Sequence, residues 1–119
     1  MANDFKRICT PNVSDSSNST IYAVPAGASS AALESIVIGI TMANKTSSGV
    51  TASIFIDNED GTNDVYIVKD ASIPAGAALE VMSGNKLVLM NDGSNADNLE
   101  ALASAASSVD VTVSVLEDV

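Results

Sequence analysis

The segment Asp57-Asn58-Glu59-Asp60-Gly61-Thr62-Asn63-Asp64 gathers four carboxylates and two amides around a glycine, an oxygen-rich composition of the kind that holds Ca²⁺. Its donors would be Asp57, Glu59, Asp60 and Asp64. The spacing departs from the EF-hand loop, because glycine falls fifth instead of sixth and no glutamate closes the segment. It reads as a solvated hairpin loop, and no metal is expected there. Asn91-Asp92-Gly93-Ser94-Asn95-Ala96-Asp97 receives the same reading. Paired carboxylates are the minimum equipment of a glycosidase, yet the acids here fall in loops or on alternating polar faces, with no apolar stretch placed to raise a pKa. Cys9 is the one cysteine and the chain has no histidine, so neither a thiol nor a serine nucleophile has its usual base. These residues predict no catalytic site, no cofactor and no enzyme.

What remains is binding. Fifteen acidic residues face five basic ones, a net charge of −10. Such a surface repels phosphate backbones and anionic lipid, which argues against nucleic acid and membranes as partners. Residues 1–19 stand apart. Asp4 and Asp15 offset Lys6 and Arg7, so this stretch is neutral while the body carries the whole negative charge. It continues into a Ser/Asn-rich run from Asn12 to Thr20 with too little apolar content for a core of its own. We read residues 1–19 as an extended N-terminal docking arm, with Phe5, Lys6 and Arg7 meeting the acidic surface of a neighbouring subunit. The opening residues carry no hydrophobic stretch after the basic pair, so no signal peptide is expected. With a lone cysteine, a disulfide-stapled secreted domain is excluded. Glycan recognition is a rival function, for which Tyr22 and Tyr66 are the candidate platforms; core or rim packing suits both better.

The elements that must position these residues are strands. Val109, Val111, Val113 and Val115 alternate with polar residues at the period of a half-buried β-strand. Further strands are expected at 20–24, 35–43, 50–56, 65–69, 78–82 and 86–90, separated by Gly, Pro, Asn and Asp clusters that suit turns. In the second, Ile36, Ile38, Ile40 and Met42 share one face, taken as inward; Val50, Ala52, Ile54 and Ile56 do so in the third. Residues 97–106 fit a short helix or a strand, and the need for an antiparallel neighbour beside the C-terminal strand favours the strand. Val24-Pro25-Ala26-Gly27-Ala28 recurs as Ile73-Pro74-Ala75-Gly76-Ala77, two sharp corners in a two-layer plan. The expected architecture is all-β: a single antiparallel β-sandwich over residues 20–119, Ig-like or jelly-roll-like, of seven or eight strands.

The run Ile21-Tyr22-Ala23-Val24-Pro25-Ala26-Gly27, the isoleucine strand ending in Ala43-Asn44, Val65 to Lys69, Ile73-Pro74-Ala75-Gly76, Gly84-Asn85-Lys86-Leu87-Val88-Leu89 and Val111 to Glu117 are together similar to a known pattern. They resemble the small β-sandwich virion structural proteins of tailed bacteriophages of the marine and cyanobacterial phage type. The opening Met1-Ala2-Asn3-Asp4-Phe5-Lys6 also follows that style. Where the family has a Gly-Asp pair before its penultimate strand, this chain has Asn91-Asp92-Gly93 and a longer loop. The resemblance implies a non-enzymatic, homo-oligomeric virion component, assembled in the host cytoplasm and bound to other phage structural proteins. Capsid decoration is the leading role, with neck, tail or baseplate attachment and a glycan- or receptor-binding module as alternatives.

Overall fold

The computed structural model describes residues 3–57, 64–82 and 86–118. The predicted loop at 58–63 and the turn Ser83-Gly84-Asn85 lie outside the described residues. Among the described residues nine strands run in chain order: β1 (Asn3–Thr10), β2 (Ser19–Ala23), β3 (Leu33–Asn44), β4 (Val50–Asp57), β5 (Asp64–Ile73), β6 (Ala78–Glu80), β7 (Leu87–Asn91), β8 (Asn98–Ala103) and β9 (Val109–Asp118), with a short 3-10 turn at Ala28–Ser30. The ambiguous 97–106 segment is therefore the strand β8.

All pairings are antiparallel, and they are nested: β1 pairs β9, β2 pairs β8, β3 pairs both β6 and β7, and β4 pairs β5. Folding this long hairpin over sends alternate pairs to opposite layers. Sheet A runs β1-β9-β3 and ends on β6 and β7, which share its far edge; sheet B runs β2-β8-β4-β5. A two-sheet sandwich wound this way is a jelly roll. The anticipated sandwich is present, and of the two forms foreseen the strand order selects this one.

The core between the sheets is aliphatic, as the scarcity of aromatics dictates. Ile40, Met42, Ile54, Ile73, Leu89, Leu99, Val111 and Val113 are each 2% exposed or less. Two sequence expectations fail at identifiable points. First, β3 does not keep one phase. The register against β9 slips between Val37 and Gly39, and this β-bulge inserts one residue, Ile38, that swaps the faces. Leu33, Ser35 and Val37 point inward before it, Ile40 and Met42 after it, so Ile36 is half-buried and Ile38 is 41% exposed. Second, residues 3–10 do not reach away from the body. They are β1, in unbroken register with β9 from Asn3 opposite Asp118 to Thr10 opposite Val111. Phe5, Arg7 and Cys9 lie opposite Leu116, Ser114 and Thr112, and Lys6 and Ile8 opposite Val115 and Val113, which is the alternation of an amphipathic edge strand.

Gly93 holds the β7–β8 connection against the 3-10 turn. Its φ is +97°, and a Cβ there would come within 2.3 Å of the Ser30 carbonyl oxygen. Only glycine fits. Asn91 reinforces the same junction by donating from Nδ2 to the Val24 carbonyl at 2.9 Å.

Candidate functional site

The inward row of β9 continues past its valines to Glu117, which is 2% exposed. A carboxylate in that position needs partners, and both edge strands on this side of the sandwich supply them. From β2 in sheet B, the Tyr22 hydroxyl donates to Glu117 Oε2 at 2.5 Å. From β1, Lys6 Nζ lies 3.0 Å from Oε1. The Tyr22 oxygen also lies 2.8 Å from Ser35 Oγ on β3. Burial first, and then the bond to Glu117, push the Tyr22 phenol far above its usual value, so it stays protonated as a donor. The hydrogen bond to Glu117 and its charge raise Lys6.

This network borders a cleft of about 410 Å³ between β1 and β2, lined by Lys6, Ile8, Tyr22, Pro25 and Glu117 among others. Tyr22, Ser35 and Glu117 are buried and bonded to one another, and Lys6 reaches solvent. The arrangement ties four strands of two sheets together and holds no free base or nucleophile. The alternation Val109, Val111, Val113, Val115 pointed to Glu117 as the next inward residue, a signal the sequence reading did not follow to its end.

The other candidates are dispersed. Asp57 and Asp64 are exposed and face each other across the open end of the β4–β5 pair, while Glu59 and Asp60 lie outside the described residues. Among the described residues no group of three or more His, Cys, Asp or Glu is placed to hold a metal ion. Asp92 is occupied with its own loop, its Oδ1 accepting from the backbone N–H groups of Ser94 at 2.8 Å and Asn95 at 2.7 Å; these bonds hold its carboxyl below the usual range. Tyr66 is 49% exposed, beside Phe55 with ring centroids 5.3 Å apart, and Lys69 Nζ sits 4.9 Å from its ring centroid. Tyr22 is core, as expected.

On sheet A, by contrast, an apolar row crosses the outer face from edge to edge. Phe5 opposes Leu116, Leu116 opposes Ile36, and Ile36 opposes Val88, one residue from each of β1, β9, β3 and β7. Phe5 is 74% and Val88 56% exposed, and Ile38 and Met90 extend the patch at 41% and 46%. Bulge-driven exposure of Ile38 is part of what builds it.

No family model matches the chain, and no curated protein matches it. The solved structure described as "Structure of infectious bursal disease virus Gx strain" is similar at TM-score 0.44 and 15% identity. The likeness covers 96% of this chain and 29% of that one, so the chain spans less than a third of it. At that distance it carries no argument about function. Among the described residues no helix is long and apolar enough to cross a membrane.

Proposed function

We propose that the chain is a non-enzymatic structural protein of a tailed-bacteriophage particle, a decoration protein seated on the capsid with its acidic surface outward. The observation that carries this reading is the apolar row on the outer face of sheet A, ending on the exposed Phe5 of an edge strand. Contiguous exposed apolar residues on a small domain mark a protein contact. β1 is the docking strand in this account, with Phe5, Lys6 and Arg7 oriented by the sheet instead of by a free arm. The jelly-roll strand order is one used by viral capsid and lectin domains alike, so surface chemistry has to separate those two. Lys69 lies over the ring of Tyr66, where a sugar would stack, which favours the protein-contact reading over the glycan one.

Quantitative mass spectrometry of purified particles tests this. Capsid decoration predicts on the order of hundreds of copies per particle, and a neck or baseplate ring about six to a few dozen. Absence from the particle refutes the virion reading.

A further inference from the structure

Each sandwich edge exposes unpaired backbone groups, and three of the four edge regions are blunted in ways that discourage pairing. β6 and β7 are short and divide their edge between them. β5 is broken by two register shifts and by Asp70 at φ +52°. β2 is five residues long and bulged between Thr20 and Tyr22. β1 has none of these devices. It is eight residues long, in continuous register, and free of bulges and proline. Its inward-pointing Lys6, a charge that could protect an edge, is drawn in toward Glu117 at 3.0 Å and stays half exposed, open to a carboxylate on a neighbouring strand.

We infer that β1 pairs antiparallel with β1 of a second copy of this chain about a two-fold axis at Phe5, joining the two A sheets into one. The inference rests on β1 being the docking strand, and it names the partner. A two-fold axis normal to the sheet keeps outer faces continuous, so residues of like facing must oppose each other. Three such registers centre on a charged residue and set Asp4 on Asp4, Lys6 on Lys6, or Arg7 on Arg7; like charges directly opposite oppose pairing. Centring on Phe5 sets Lys6 against Asp4 of the second copy, twice, and Phe5 against its own mate. The apolar rows of the two copies then meet at their exposed ends and run unbroken from Val88 to Val88. Asp4, Phe5 and Arg7 are all exposed, so the pairing needs no rearrangement of the chain.

Sedimentation of the full chain tests the pairing, with charge swaps as the decisive arm. The chain alone should dimerise reversibly. Asp4→Lys and Lys6→Asp should each weaken their own dimer by about tenfold or more, with circular dichroism confirming that each folds. Mixing the two variants should restore association, since every Lys–Asp contact is then complementary. In a Cys9→Ser background, Phe5→Cys should cross-link to itself on oxidation and Arg7→Cys should not. A chain that sediments as a monomer at every concentration, a mixture that fails to associate, or preferential cross-linking at position 7 overturns the inference. Incorporation into particles by a chain that never self-associates would overturn this inference alone and leave the virion reading standing.

Discussion

Glu117 and Glu100 are both buried carboxylates on the strand next to an edge, β9 in sheet A and β8 in sheet B. Glu117 faces inward and is held by Tyr22 and Lys6 from the two edge strands beside it. Glu100 points to the outer face of sheet B between Thr20 and Phe55, and its Oε2 is buried with no hydrogen-bond partner; Glu117 Oε1 is equally buried, and it is the Lys6 ammonium 3.0 Å away that compensates it. The same residue type therefore serves as a clamp in one place and as a destabilising element in the other. What separates them is the edge strand: β1 and β2 bring a cation and a phenol to Glu117, whereas the strand beside Glu100 offers Thr20 on that face. Lys6 adds to the eight-pair register that lays β1 on β9 by closing the network from that side.

Alanine scanning breaks this comparison most directly. Glu117→Ala should lower unfolding free energy by about 2–4 kcal/mol, the loss of charge-assisted hydrogen bonds plus a small void. Glu100→Ala should change it by less than about 1 kcal/mol, read by urea denaturation. Equal losses would erase the distinction. Tyr22→Phe, which strips the buried donor from Glu117 and leaves the ring, should cost about 1–3 kcal/mol. Glu100→Met should go the other way, raising stability by about 1 kcal/mol as the unpaired oxygen is removed. Val88→Lys, on the exposed row, should stay within about 0.5 kcal/mol of the parent while abolishing capsid docking, measured by co-sedimentation with particles lacking the protein.

The clamp also sets a pH dependence. Tyr22 and Lys6 both have folded values raised above their unfolded ones, so each contributes stability that is complete below about pH 10 and lost as pH climbs through the folded values. Thermal melts should be level from neutral pH to about 10 and decline above it, and Tyr22→Phe should make the decline shallower.

Strand positions were largely legible because alternation and turn chemistry repeat along the chain, and β4, β8 and β9 stand where the residues put them. Three features were not. The β3 bulge shifts phase at Ile38-Gly39, and four evenly spaced apolar residues cannot reveal an inserted one. β1 lacks apolar alternation strong enough to declare itself, since Asp4, Lys6 and Arg7 interrupt it, and its order comes from β9. The repeated pentapeptide takes two conformations: Gly76 has φ +68° in a tight turn closed by Ala77 N–H to the Pro74 carbonyl, whereas Gly27 is extended at φ −72°. Local sequence was identical in its turn residues, and tertiary context decided. The apolar row on the outer face of sheet A was hidden for a related reason, because its four residues come from four strands and become neighbours through register alone.

Hydrogen–deuterium exchange of the chain diluted until it is monomeric, compared with the chain bound on purified particles, would test the central claim, that sheet A and its β1 edge form the contact surface. The account predicts that slowed exchange on the particle concentrates in β1 and β7, with β5 unchanged. Protection confined to β5 and the outer face of sheet B, with β1 exchanging as in the free chain, would contradict it.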